Sequence, residues 1–131
     1  MEIRTEYESP LKLDKLLIPE CHFVRSEDNL DGLTLNVDVK KYVERIEDNK
    51  YKVILLLAMM DEAKKVALNV KCLAYFTTLQ DNFSVLSKNA VAIMFPYVRS
   101  YVSTLTTQPG MSPIVLPPMN IAAMFHNGQD S

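Results

Sequence analysis

The sequence predicts an α+β fold: a four-stranded antiparallel sheet, one long helix kinked by a proline, a crossover loop and a short C-terminal helix. Three observations predict it. Runs of period-two hydrophobicity alternate with short turn-like clusters up to Phe76. Apolar residues then recur at helical spacing as far as Leu105. A Pro/Gly-rich stretch follows and ends in a short apolar segment with its own cap.

Taken in order, the first strand is expected from about Leu16 to Arg25. Pro19 lies inside it and lacks an amide donor, which suits an edge strand or a bulge. Leu33, Leu35, Val37 and Val39 alternate with Thr34, Asn36, Asp38 and Lys40, which reads as a half-buried strand. The alternation slips at Lys40-Lys41, after which Tyr42 and Ile46 carry the apolar positions, so a β-bulge is expected there. Glu47 to Lys50 reads as a turn. Tyr51 to Met60 is a strand that becomes apolar on both faces, and Asp61 to Lys64 is the next turn. In the strand from Lys65, Val66, Leu68, Val70, Cys72, Ala74 and Phe76 share one face. Short turns between these strands make an antiparallel meander.

Asp81 or Asn82 is placed to cap the long helix, which runs to about Leu105. Phe83, Leu86, Ala90, Ile93, Tyr97 and Tyr101 form one apolar stripe; Val91, Phe95, Val98 and Val102 form a second. A sheet covers one stripe of a helix, so the second calls for another partner, most simply another copy of the chain. Pro96 removes a backbone hydrogen bond and clashes with the preceding turn, so a kink or break is expected near Ala92 to Phe95. Met111 to Pro118 carries three prolines and is expected to be extended, and Asn120 to cap a last helix through Phe125. The 131 residues fit a single domain, with residues 1–10 and 127–131 as flexible ends.

Composition narrows the function classes. Hydrophobic residues are 48% and charged residues 23%, enough for a packed core. A formal net charge of −2 offers no basic excess for nucleic acid. The longest apolar run, Val53 to Met60, is too short for a membrane span, and the charged start MEIRTEYESP is unlike a signal peptide. A soluble cytoplasmic protein is the expectation. Gly32, Gly110 and Gly128 lie too far apart for a phosphate-binding loop, and no cofactor is implied.

Catalytic and metal motifs are weak. Cys21, His22, Cys72 and His126 are the metal candidates, but Cys21 and His22 are adjacent and point to opposite faces of a strand. The two cysteines read as free, reduced thiols that bind no metal. No nucleophile elbow accompanies them, and Asp61-Glu62 and Glu27-Asp28 read as solvated turn charges. The chain is therefore expected not to be an enzyme. What stands out is methionine. Met59, Met94 and Met124 read as core or oligomer contacts, whereas Met111, on a crossover expected at the surface, is a candidate binding residue.

Phe95-Pro96-Tyr97, then Leu116-Pro117-Pro118-Met119-Asn120 and Ala123-Met124-Phe125, resemble the C-terminal half of the SecB protein-export chaperone family. Glu20-Cys21-His22-Phe23 is similar to that family's first strand, and the three later strands follow in its order and spacing. The resemblance implies a homotetramer, a dimer of dimers, with the long helices sandwiched between two eight-stranded sheets. It implies an ATP-independent holdase whose client groove lies between sheet, crossover and helix, here near Phe23, Tyr75, Phe76, Met111, Ile114 and Met119. Glu20 matches an acidic position through which the family contacts the export motor SecA. Val24 and Asn69 stand where the family carries acids, Ala67 where it carries leucine, and a long acidic tail is absent after Phe125.

The expected function is thus the holding of unfolded or secretory polypeptides in an export-competent state. One alternative is a dedicated chaperone of an antitoxin, a role that SecB-like relatives also serve. Others are an oligomeric assembly domain without chaperone activity and an unrecognised small-molecule enzyme. Gln108 to Met119 is expected to act as a mobile flap over the groove, bending at Gly110.

Overall fold

The computed structural model describes residues 2, 4, 6, 10–79 and 83–124. The strands are β1 (Leu11–Arg25), β2 (Asn36–Glu47), β3 (Lys50–Met60) and β4 (Val66–Thr78). The helices are α1 (Phe83–Leu105) and α2 (Ile121–Met124). All strand pairs are antiparallel, in the order β1-β4-β3-β2, so β1 and β2 are the edges. The expected helix cap at Asp81 or Asn82, the end of the last helix at Phe125, His126, and most of the expected flexible ends lie outside the described residues.

Alternation sorts the two central strands cleanly. Tyr51, Val53, Leu55, Leu57 and Met59 of β3 are all buried, as are Val66, Leu68, Val70, Cys72, Ala74 and Phe76 of β4. These residues form the inner face. Helix α1 lies over it and buries Leu86, Ala90, Val91, Met94, Phe95, Val98 and Val102. Burying one such Leu or Val side chain contributes about 1.5–3 kcal/mol, so this interface dominates stability. Met59 and Met94 belong to this core, and Met124 packs half-buried against it.

The turns follow local chemistry. Asn49 takes φ 64° between β2 and β3, a left-handed conformation that asparagine tolerates. In the next turn Asp61 is buried, and its carboxylate accepts a 2.8 Å hydrogen bond from the Val66 amide. Lys64 closes that turn with φ 57°.

Several expectations need correction. β1 begins at Leu11, five residues before the expected start, while Pro19 sits at a register shift between Leu17 and Glu20 on the edge strand. No bulge occurs at Lys40-Lys41: the β2–β3 register runs unbroken from Asn36 to Arg45, and the shift falls between Arg45 and Glu47. The apparent slip has another cause. Lys41 keeps its place on the inner face, 5% exposed, and its ammonium donates to the hydroxyl of Ser87 on α1. Tyr42 and Ile46 are therefore exposed rather than core-facing. Leu33 and Leu35 precede β2 and lie in the β1–β2 connection.

The helix differs too. Rather than breaking, α1 continues through Pro96 as one element. Pro96 and Ala92 are both exposed, so water can reach the carbonyl that loses its donor. The stripe Val91, Phe95, Val98 and Val102 needs no second copy, because the chain itself buries it. Ile93 and Tyr101 remain half-buried and Tyr97 is 52% exposed.

Replacing Lys41 by alanine should lower stability by about 1–3 kcal/mol, because the buried Ser87 hydroxyl loses a partner. Urea unfolding monitored by circular dichroism checks this. An unchanged midpoint would mean that the ammonium contributes nothing at this contact.

Candidate functional site

The site follows from how the crossover is held. Beyond α1, Gln108 and Met111 form an isolated bridge around Pro109 and Gly110. Gly110 takes φ 74°, which costs a glycine little. Further on, the end of α1 satisfies the crossover's backbone. The Thr106 hydroxyl accepts from the Ile114 amide at 2.7 Å, the Ser103 hydroxyl donates to the Ile114 carbonyl at 3.0 Å, and Arg99 donates to the Leu116 carbonyl at 3.0 Å. The Leu116 side chain is 2% exposed and part of the core. The segment expected to be a mobile flap is thus pinned at Ile114 and Leu116.

A groove of about 490 Å³ opens between the crossover and the β1–β2 connection. Met111 and Ile114 line it from the crossover, Leu30, Leu33 and Leu35 from the connection, and Val66 from the start of β4. Asp31 is its charged residue. Arg25, at the end of β1, ties both flanks together. Its Nε donates to the Ser26 carbonyl at 2.8 Å, one Nη to the Asp28 carbonyl at 3.2 Å and the other to the Gly110 carbonyl at 3.0 Å. A planar guanidinium provides this three-way fork; an ammonium does not.

The six residues expected at a client groove do not share one surface. Met111 and Ile114 line the groove just described. Phe23 pairs with Leu68 on the inner face and is half-buried against the core, as is Met119. Phe76 is 1% exposed beneath α1. Tyr75, its neighbour, points to the opposite, outer face, where the Lys15 and Lys52 ammoniums lie 6.0 and 5.9 Å from its ring centre. Adjacent strand residues cannot line the same face. Glu20 is exposed on that outer face, paired in register with Lys71.

Leu30, Leu33 and Leu35 escaped notice because the alternation from Leu33 onward reads as strand. The available signal was Asp31-Gly32 just before it: Gly32 takes φ 76°, and the Leu33 amide reaches back to the Leu30 carbonyl at 3.4 Å.

Nothing nucleophilic converges on the groove among the described residues. Cys72 is fully buried, and burial pushes its thiol up to about 11, so at neutral pH it is a poor nucleophile. Cys21 faces Tyr101 of α1, and a hydrogen bond between them, then burial, holds the Tyr101 phenol above its usual range. No three His, Cys, Asp or Glu side chains cluster as metal ligands, and no helix is long and apolar enough to cross a membrane, among the described residues.

The preprotein translocase subunit SecB family matches residues 31–131. The chain belongs to the SecB family. Members of this family bind polypeptides and catalyse no reaction; the groove sets leucine and methionine side chains beside Asn29, Asp31 and Ser112. An uncharacterized protein of Methanocaldococcus jannaschii is 30% identical over 129 residues, covering 89% of this chain and 83% of that protein. The protein-export protein SecB of Saccharophagus degradans is 30% identical over 96 residues, covering 67% of this chain and 57% of that protein. That of Magnetococcus marinus is 44% identical over 45 residues, covering 34% of this chain and 29% of that protein. Among solved structures, the Mycobacterium tuberculosis SecB-like chaperone, in complex with a ChAD peptide from the HigA1 antitoxin, aligns with a TM-score of 0.70. The alignment covers 84% of this chain and 90% of that one; at 15% identity it shows the shared SecB-like fold.

Arg25→Ala should loosen the Gly110 end of the crossover while Thr106 still holds Ile114. Hydrogen exchange should accelerate roughly tenfold at the Met111 amide and stay unchanged at the Ile114 amide. Equal acceleration at both would mean that Arg25 supports the fold in general.

Proposed function

We propose that this chain is an ATP-independent holdase that binds unfolded polypeptide segments in the groove between the crossover and the β1–β2 connection. The observation that carries the reading is the meeting of Met111 and Ile114 with Leu30, Leu33 and Leu35 around an open groove of about 490 Å³. Such a surface does no bond chemistry. It exchanges water for apolar client side chains at about 25 cal/mol per Å² buried. Methionine and leucine side chains adapt to differing clients. Binding the unfolded chain and not the folded one keeps a client from folding or aggregating. Phe23 and Met119 are half-buried against the inner-face core, and a client that displaced part of the crossover would meet them; Phe76 stays sealed beneath α1. Tyr75 would serve only a client reaching the outer face.

Two client classes are in view. A dedicated client, such as an antitoxin segment, is supported by the near-complete alignment with a SecB-like chaperone carrying an antitoxin peptide. The outer face lends further support, since Val24 and Asn69 replace acids that an export motor would contact, leaving Glu20 by itself. Export clients in general are supported by the family match and the two export proteins. Family membership also supports a cytoplasmic location. A homotetramer is supported by Ile93, Tyr97 and Tyr101, an apolar stripe on α1 that the chain leaves part-exposed.

The protein should suppress aggregation of a reduced, unfolded model client with no nucleotide present. Met111→Asp should weaken client affinity about tenfold or more, because a carboxylate must be desolvated against apolar surface. Thermal unfolding of that variant should stay close to that of the parent. Unchanged affinity would remove the groove from the mechanism. Polypeptides bound to protein purified from its own host would be one defined partner for a dedicated chaperone and many precursors for an export chaperone.

Light scattering should give a mass four times the 14.9 kDa of one chain. A stable monomer at micromolar concentration would contradict assembly through α1.

A further inference from the structure

We infer that the outer face of the sheet is a docking surface for an acidic, partly apolar polypeptide segment, separate from the client groove. The register places outward side chains in rows that cross the sheet. Leu17, Leu73, Ile54 and Tyr42 are consecutive register partners, so one apolar row spans the four strands. Tyr42, at its end, is 51% exposed, and no element packs over the row among the described residues.

Charge flanks this row on both sides. The next row one way is Lys15, Tyr75, Lys52 and Glu44; the other way it is Glu20, Lys71, Leu56 and Lys40. Four ammoniums thus border the apolar row against two carboxylates, although the whole chain carries a formal charge of −2. None of the four lysines forms an ion pair among the described residues. Lys15 and Lys52 sit over the Tyr75 ring at 6.0 and 5.9 Å, which holds their charge beside the row. Next to the row a depression of about 220 Å³ is lined by Leu56 and Ala58, with Lys40 and Lys71 on its rim beside Glu20 and Asp38.

The arrangement selects its occupant. Carboxylates of a bound segment pair with the lysines, while apolar side chains enter the depression and cover the row. A basic partner meets four like charges. A second copy presents the same lysine excess. An anionic lipid surface has no side chains to send into a depression whose apolar residues are half-buried.

The test uses the intact protein and two synthetic peptides: one alternating glutamate with valine, and its counterpart with lysine for glutamate. The acidic peptide should bind, with affinity falling steeply as salt rises. The basic peptide should bind at least tenfold more weakly. The double variant K52E/K71E, checked for parental mass and circular dichroism, should lose at least tenfold in affinity and most of the salt dependence. Met111→Asp, which alters only the groove, should bind the acidic peptide like the parent. Carbodiimide should cross-link the peptide to Lys52 or Lys71 by mass spectrometry. Equal binding of both peptides, parental affinity in the double variant, or loss of binding in Met111→Asp would each overturn the inference. So would binding of phosphatidylserine vesicles with no binding of the acidic peptide.

Discussion

One helix seals one face of a four-stranded sheet, and the rest of the structure is a consequence of that mismatch in width. An α-helix with its side chains is about 10 Å across, while four strands at about 4.8 Å spacing span roughly 14 Å between the outermost backbones. Helix α1 lies over β4, β3 and β1. The inner face is completely buried along β3 and β4, yet only half-buried at Leu16, Cys21 and Phe23 on β1, and Val37 on β2 is 38% exposed. Other segments must cover the margins. The crossover does so with Leu116 and Ile114, and the β1–β2 connection with Leu35. The groove lies where these two coverings meet.

This origin explains why the groove combines fixed and yielding parts. The Ile114 backbone is bonded through both its amide and its carbonyl to the end of α1, and Leu116 is anchored in the core. The Gly110 end hangs from a single side chain, Arg25, which also holds the first turn of the β1–β2 connection. Displacing that end costs one charge-assisted hydrogen bond to a carbonyl, while displacing Leu116 opens the core. A polypeptide entering the groove therefore meets graded resistance, lowest beside Met111. In the holdase proposed above, each client segment would gain little from one such groove, so tight holding would depend on repeated contacts at high effective concentration.

The central strands, the first-strand bulge at Pro19 and the Asn120 cap were legible because each rests on a local rule. Asn120, for instance, accepts from the Ala123 amide at 3.1 Å, as a helix cap does. The misreadings occurred where a distant partner changes the meaning of a residue. Lys41 looked like a break in alternation because a lysine on a core face is rare. The hydroxyl of Ser87, supplied from another element, helps make its burial tolerable. Leu33 and Leu35 looked like strand because two alternations do not distinguish a strand from a turn that places two leucines on one side. Half of the groove was thereby assigned to the sheet. At Pro96 a kink or a break was expected, and the exposed setting that lets the helix continue is visible only once the helix is packed. Tyr75 and Phe76 were both assigned to the groove by the family resemblance, although strand alternation puts them on opposite faces.

Among the described residues, three part-exposed surfaces besides the sheet edges point in different directions, and that would limit how the chain could assemble through them. The helix stripe Ile93, Tyr97 and Tyr101 lies on α1; the groove lies at the crossover end; the lysine-bordered row lies on the far side of the sheet. Assembly through the helix stripe leaves both other surfaces open, because the sheet stands between the helix and the lysines. Assembly through the outer face would bring Lys15, Lys40, Lys52 and Lys71 against their own copies and leave Tyr97 in water. Charge repulsion and uncovered apolar area would thus both favour the helix over the outer face as the self-association surface of the proposed tetramer, leaving the groove and the outer face to the proposed polypeptide partners.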